Sequence, residues 1–335
     1  MNNILGLLII AAGSFGQSSS YVPINKVKQW SWESFWLVQG IFAWLVFPFA
    51  GALLAVPEGQ TLWSIIASDP ASSWAAFGYG ILWGVGGLTF GLSMRYLGIA
   101  MGQSISLGTC AAFGTLFPAI ISGTDLMHGS GLVLLLGVCI TLAGIAVIGY
   151  AGSLRSKNLS EKDRSQAVKE FSLTKGLSVA VLAGVMSACF ALGLDAGPVV
   201  EESPALFRTL PATLLVTVGG FFTNAAYCLF QNFRNRTFGD YLKAPVLPGN
   251  ILFCALAGLL WYTQFFGLGI GTGFFGKDSV LNAFAWCILM SLNVVFSNVW
   301  GLVLKEWKGV SAKTSAVLVT GLAILVFSLV FPNLF

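Results

Sequence analysis

The sequence predicts an all-α polytopic membrane protein whose chain crosses the bilayer ten times. Hydrophobic residues make up 56% of the 335 positions and charged residues only 9%, whereas a soluble domain carries about 25% charged residues. The apolar stretches are also continuous over about 20 residues, the length that a helix needs to cross the hydrocarbon core. They do not alternate as barrel strands do. This composition excludes an intrinsically disordered chain, and so few basic residues do not fit nucleic-acid binding.

Five predicted spans lie in the first half of the chain. The first has no basic residue before it, because Lys26 follows it, so it is interpreted as a retained helix and not as a signal peptide. Arg95 marks the end of the third span, and a short loop with His128 separates the fourth from the fifth. The five predicted spans are 3–22, 34–56, 72–94, 99–122 and 131–151.

A long charged stretch, 152–173, follows the fifth span and is predicted to be a cytoplasmic linker. It divides the chain into an N-terminal repeat, 1–151, and a C-terminal repeat, 174–335. Charged or turn-forming residues again separate the spans of the second half. These spans are 174–195, 209–231, 249–271, 280–302 and 313–332.

The basic residues predict the orientation. Of the 17 Lys and Arg residues, 15 fall in the loops that follow odd-numbered spans, and Arg208 and Lys277 are the exceptions. Because cytoplasmic loops are enriched in Lys and Arg, the odd-numbered loops are predicted to be cytoplasmic. An even number of spans then puts both termini in the periplasm.

A weak internal repeat supports two inverted halves. The tripeptide Leu97-Gly98-Ile99 recurs as Leu268-Gly269-Ile270, in the corresponding helix of the second half. Since each half has an odd number of spans, the second half is predicted to be inverted relative to the first. Inverted repeats are typical of secondary transporters, whose substrate site lies near the middle of the membrane.

Four motifs carry a resemblance to a known family. They are Lys26-Val27-Lys28-Gln29-Trp30-Ser31-Trp32-Glu33, Met94-Arg95-Tyr96-Leu97-Gly98, Trp261-Tyr262-Thr263-Gln264-Phe265-Phe266 and Gly301-Leu302-Val303-Leu304-Lys305-Glu306-Trp307. Together they resemble the L-rhamnose/proton symporter family, within the drug/metabolite transporter superfamily, over nearly the whole chain. The resemblance implies ten helices in two inverted halves, and uptake of L-rhamnose or a related deoxyhexose with a proton across a bacterial inner membrane.

A sugar site calls for amides that hydrogen-bond to hydroxyls and for aromatic rings that stack on the apolar C–H face. The predicted substrate-binding residues are Gln264, Trp83, Trp261, Tyr262, Gln17, Gln103, Asn224, Asn282 and Trp286. Ser18, Gln39 and Asn293 are further polar residues inside predicted spans. The alternative for each amide is a hydrogen bond between helices, since an unpaired amide in hydrocarbon is costly. The alternative for each aromatic ring is packing or interfacial anchoring.

Two carboxylates are candidates for proton coupling. No charged residue falls at the midpoint of a predicted span, so the coupled proton must use a group nearer to a helix end. Glu33, at the start of the second span, is favoured over Asp195, near the outer end of the sixth. The alternative for Glu33 is stabilisation by the helix N-terminus or by Lys26 or Lys28. For Asp195 it is an ordinary interfacial carboxylate.

Other chemistry is not indicated. The six cysteines lie in apolar runs without the spacing of a metal or redox site, and there is one histidine. We therefore predict no metal, no catalytic site and no cofactor beyond the coupled proton. The expected partners are a small sugar and the lipid bilayer, without nucleic acid or an obligate protein partner. The alternatives are a metabolite exporter, a membrane sensor and a membrane enzyme, although the longest polar stretch is too short for a sensor's output domain.

Overall fold

The computed structural model describes residues 2–97, 99–157, 172–204, 206–276, 279–305 and 307–334. Within these ranges all the regular elements are helices, and ten of them are long and apolar enough to cross a membrane. This confirms the predicted fold class. The ten helices are α1 (Asn3–Ile24), α2 (Trp32–Leu53), α3 (Pro70–Leu97), α4 (Ile99–Ile121), α5 (Gly129–Lys157), α6 (Leu173–Ala196), α7 (Leu210–Asn235), α8 (Leu247–Thr272), α9 (Ala285–Val303) and α10 (Ala312–Val330).

Side-chain caps fix several helix ends. The Ser31 side chain accepts a hydrogen bond from the backbone N–H of Ser34 at the start of α2, and Ser311 does the same for Thr314 at the start of α10. Such caps satisfy backbone N–H groups that have no partner within the helix. At the other end of α7, Arg236 adopts the left-handed conformation with φ of 56° and ends the helix.

The fifth helix is longer than predicted. It continues to Lys157, past the predicted end at residue 151. Its last turns gain a contact of their own, because the Arg155 guanidinium lies 5.2 Å from the centre of the Trp307 ring. The predicted linker therefore begins as helix, and its residues 158–171, which include Glu161 and Lys162, lie outside the described ranges.

Short helices occupy some of the connections. A turn at Leu62–Ser68 begins with a reciprocal capping box between Thr61 and Ser64. A separate turn, Val280–Ala283, is capped by Ser279 and precedes α9. Because of this cap, Asn282 lies before α9. The predicted span 280–302 places it inside the helix, which is wrong at this end.

The second helix is not a regular α-helix. It consists of an α-helical part, Trp32–Gly40, a π-helical segment, Ile41–Val46, and a second α-helical part, Phe47–Leu53. In the π segment the hydrogen bonds reach one residue further back, as from Phe47 N–H to Phe42 O. The hydropathy pattern gave no indication of this segment.

The contacts divide the chain into two compact units. Unit 1 comprises residues 1–84 and 193–274, and unit 2 comprises residues 85–192 and 275–335. Each unit thus combines segments from both halves of the sequence. The division into inverted repeats at 1–151 and 174–335 is a separate matter of symmetry and stays a prediction.

Glycines allow close helix packing in unit 1. A Cβ at Gly13 of α1 would overlap the carbonyl oxygen of Thr263 in α8, and a Cβ at Gly267 would lie 3.1 Å from Gly13 Cα. The Thr263 hydroxyl donates to Gly13 O over 2.8 Å across this contact. Membrane helices associate through small residues in this way, since the lipid offers little hydrophobic drive for association.

Unit 2 is built around an aliphatic core between α5, α9 and α10. The buried residues of this core are Ile145, Ile148, Ala151, Val294, Leu318 and Leu325. Glycines again face bulky side chains: a Cβ at Gly144 would lie 2.8 Å from Leu325, and one at Gly321 would lie 2.7 Å from Ile148. The close approach of α5 and α10 therefore depends on both glycines.

Candidate functional site

Three tryptophans form a compact cluster in unit 1. The ring centres of Trp44 on α2, Trp83 on α3 and Trp261 on α8 lie 5.8 to 5.9 Å from one another. Trp44 stands nearly perpendicular to the other two rings, at 88° and 81°. We call these residues the tryptophan cluster. Its faces are of the kind that stack on the apolar side of a sugar.

The sequence identified two of the three cluster residues. Trp83 and Trp261 were predicted to line a sugar site, and the structure brings them together. Trp44 was missed because it lies in a stretch that is apolar on every face, where no pattern distinguishes it from a packing residue. Trp36, also on α2, extends the cluster with its ring centre 5.6 Å from that of Trp44.

Two further predicted residues lie beside Trp261 on α8. Gln264 is 4% exposed, and its amide nitrogen donates to Trp261 O over 3.2 Å. Tyr262 is buried, and its hydroxyl lies against Gly51 of α2, where a Cβ would overlap it. The Trp261–Gln264 turn of α8 therefore carries aromatic and amide groups into the interior of unit 1.

The amide of Asn224 is occupied by protein groups. Its oxygen accepts from Trp36 Nε1 at 3.0 Å, and its nitrogen lies 2.9 Å from Gly220 O and 3.4 Å from Gly84 O. These bonds join α7 to α2 and α3. In this conformation Asn224 therefore holds helices together, which is the alternative that the sequence left open for every amide.

The other predicted site residues are dispersed. In unit 1, Gln17 is half-buried and its side-chain oxygen accepts from the Ser18 hydroxyl at 3.3 Å. In unit 2, Gln103 is half-buried on α4, while Trp286 is buried on α9. The indole nitrogen of Trp286 donates to Cys110 O over 3.2 Å. Asn282 lies in the turn before α9.

Glu33 is buried in a polar cluster that joins α2 to α7. The residue is 6% exposed. Its Oε1 accepts from Asn235 Nδ2 and from the Thr237 hydroxyl, both at 2.9 Å. The Thr237 hydroxyl is also 2.9 Å from Asn232 Oδ1, which in turn accepts from Ser34 at 2.9 Å. These hydrogen bonds connect the start of α2 to the end of α7 and the turn after it.

A second polar contact ties the loop before α2 to the loop after α7. Asp240 accepts from Ser31 N–H at 2.7 Å, and it pairs with Lys243 at 2.6 Å. Burial favours a raised pKa for Asp240, but the hydrogen bonds from Lys243 and Ser31 outweigh burial and lower the pKa to about 2. The Lys243 amine also donates to Gln29 O at 2.6 Å. The contacts of Asp240 and Lys243 thus hold the residues before α2 against the loop after α7.

The second carboxylate candidate has a different environment. Asp195 lies in the last turn of α6 and is exposed. Within the described part of the chain, no three His, Cys, Asp or Glu side chains are grouped as a metal site requires. Of the two candidates, Glu33 alone is buried among hydrogen-bond donors.

Comparison with known proteins identifies the family of this chain. A sequence model of the family described as L-rhamnose-proton symport protein matches residues 1–332. Proteins named L-rhamnose-proton symporter from Yersinia pestis (strain Pestoides F) and Yersinia pseudotuberculosis serotype O:1b are each 34% identical over 344 aligned positions. The alignments cover 98% of this chain and 97% of each relative. The family consists of symporters, which confirms a transporter and not an enzyme; this chain belongs to the L-rhamnose-proton symport protein family.

Proposed function

We propose that this protein takes up L-rhamnose, or a closely related deoxyhexose, together with a proton. The family and the printed names of the relatives support the substrate and the coupling. The observation that carries the proposal is the tryptophan cluster beside the buried Gln264. Indole faces suit the apolar side of a deoxyhexose, and a buried amide suits its hydroxyls. A metabolite exporter or a sensor is not favoured by these relatives.

The proposed sugar site centres on groups of unit 1. The predicted contacts are the Trp83 and Trp261 rings with Gln264 and Tyr262, and Gln17, Gln103, Asn224, Asn282 and Trp286 remain candidates. Sugar entering from the periplasm displaces water from the aromatic faces and hydrogen-bonds to the amide. Binding energy that differs between the outward-open and inward-open forms then shifts the balance between them.

We propose that Glu33 carries the coupled proton, and Asp195 is the second candidate. The donors Asn235 and Thr237 favour the charged carboxylate in the conformation described here. When α2 and α7 separate, the carboxylate loses both donors and binds a proton more readily. Uptake is coupled if the carrier reorients readily when both sites are filled or both are empty, but not when one alone is filled.

The function is tested with purified protein in proteoliposomes that are given labelled L-rhamnose. An inwardly directed proton gradient should drive accumulation, and a sodium gradient of equal size should not. A protonophore should abolish the accumulation. Accumulation driven by the sodium gradient would show that sodium, and not the proton, is the coupling ion. The absence of saturable uptake under any gradient would refute the proposed function.

The orientation is a further part of the proposal: the protein lies in a bacterial inner membrane with both termini in the periplasm. It follows from the partition of basic residues among the loops. A periplasmic reporter fused after Phe335 should be active, and the same reporter fused at Lys162 should be inactive. If a reporter that is active only in the cytoplasm is active when it is fused after Phe335, the proposed orientation is wrong.

Gln264→Ala should weaken L-rhamnose binding by about 2–10-fold. A hydrogen bond between neutral groups contributes about 0.5–1.5 kcal/mol net, and each 1.4 kcal/mol is about tenfold in affinity. Binding of labelled sugar to the purified variant measures the effect. Thermal unfolding of the same sample shows whether the variant is folded, and unchanged affinity in a folded variant would assign Gln264 a structural role.

A further inference from the structure

Two polar atoms of α2 are buried without a partner. Gln39 and Trp44 are 2% and 4% exposed. In the described ranges, neither Gln39 Oε1 nor Trp44 Nε1 makes a hydrogen bond. Buried polar atoms nearly always have a partner, because losing water without a replacement is costly. Packing alone therefore does not explain why these side chains are polar.

The two residues stand on either side of the start of the π segment in α2. The segment begins at Ile41, between Gln39 and Trp44, and its wider turn rotates the residues that follow it around the helix axis. Such bulges are frequent at functional sites. The Trp44 ring packs back over Gly40, the neighbour of Gln39, where a Cβ would lie 2.7 Å from the ring. Gly40 thus makes room for the Trp44 ring one turn from its own Cα.

The surroundings of Trp44 match a polyhydroxylated ring. Trp44 belongs to the tryptophan cluster with Trp83 and Trp261. A pyranose presents C–H groups on one side and hydroxyls around its rim. The aromatic faces around Trp44, the unfilled donor of Trp44 and the unfilled acceptor of Gln39 on the same helix complement both features. An apolar ligand would leave the two polar atoms unpaired.

We propose that Gln39 and Trp44 are specificity-determining contacts of the sugar site. Gln39 Oε1 accepts a hydrogen bond from one sugar hydroxyl, and Trp44 Nε1 donates to a second sugar oxygen. The inference rests on the proposed function and deepens it. In this proposal α2 contributes to the recognition of sugar hydroxyls, in addition to the predicted contacts of Trp83 on α3 and of Trp261 and Gln264 on α8.

Gln39→Leu provides the first test. Leucine has a similar volume and removes the amide whose oxygen is buried without a partner, so the melting temperature should stay the same or rise. The dissociation constant for L-rhamnose should rise by about 2–10-fold. A panel of monodeoxy L-rhamnoses identifies the partner, since removing the hydroxyl that Gln39 binds should weaken the wild type but not the variant.

Trp44→Phe provides the second test. It keeps an aromatic ring and removes the indole N–H, and the affinity for L-rhamnose should fall by about 2–10-fold. Trp30→Phe is the matched control. Trp30 Nε1 is likewise buried without a partner in the described structure, but it lies before α2 against Tyr241. That control should keep the wild-type affinity.

The outcomes separate this inference from the proposed function. If the wild type binds L-rhamnose and folded Gln39→Leu and Trp44→Phe bind it equally well, the inference is wrong and the proposed function stands. If the wild type itself does not bind L-rhamnose, the proposed function fails and the inference with it. If Gln39→Leu is not recovered in folded form, Gln39→Met is measured against the same panel of sugars.

Discussion

Replacement of Glu33 by glutamine is expected to abolish the accumulation of L-rhamnose against its gradient and to leave counterflow of the sugar measurable. Glutamine keeps the length of the side chain and an oxygen that can accept from Asn235 or Thr237. It cannot take up or release a proton near neutral pH. The variant should therefore exchange sugar across the membrane without the energy of the proton gradient.

The burial of Glu33 explains why this effect should be large. Water hardly reaches the side chain, which is 6% exposed, so hydrogen bonds stabilise its charge, and those from Asn235 and Thr237 come from outside α2. A movement that separates α7 from α2 removes both donors at once. The proposed coupling at Glu33 predicts that the affinity of the carboxylate for a proton then changes between the two halves of the cycle.

The measurement uses proteoliposomes with an imposed pH gradient, and counterflow is measured in the same preparation. Glu58→Gln is the matched control, because Glu58 is exposed in the loop after α2. Asp195→Asn tests the second candidate. Wild-type accumulation by Glu33→Gln would remove Glu33 from the coupling mechanism. Wild-type accumulation by both variants would require another proton site.

Gly13→Ala is expected to destabilise the protein by about 1–3 kcal/mol, the range found when a packed interior receives an extra carbon. The new Cβ would overlap the carbonyl oxygen of Thr263 in α8. This oxygen belongs to the backbone of α8, so it cannot rotate away as the end of a flexible side chain can. The two helices must move apart, and the hydrogen bond from Thr263 to Gly13 O is then lost.

Gly78→Ala is the matched control for this substitution. It makes the same chemical change in a membrane helix of unit 1, but a Cβ there would meet no atom within 4 Å. It should be neutral, or stabilising by about 0.5–1 kcal/mol, because alanine is the better helix former. Thermal unfolding in detergent compares the two. Equal melting temperatures for both variants would contradict the close α1–α8 contact.

The sequence alone located the ten spanning helices, because insertion into a membrane depends on hydropathy summed over about 20 residues. That sum is a local property of the chain. Boundaries were less well determined where a cap or a contact decides them. Ser279 starts a separate turn before α9, and Arg155 prolongs α5 toward Trp307.

The candidate site was predicted in part. Trp83, Trp261 and Gln264 stood out as aromatic or amide residues in apolar spans or in a motif, and they lie in unit 1 together. Trp44 did not stand out. A helix in a membrane is apolar on its lipid-facing and its buried faces alike, so its sequence does not indicate which aromatic rings point inward.

What the sequence determined by itself is therefore the fold class, the number of spans and the family, together with the candidate groups that are proposed to bind sugar. The tertiary structure alone decided the partners of those groups. Glu33 meets Asn235 and Thr237 across more than 200 residues of sequence, and Trp44 reaches its cluster through a π segment. The physical reason is that hydropathy is additive along the chain, whereas hydrogen bonds and ring contacts depend on which helix faces meet.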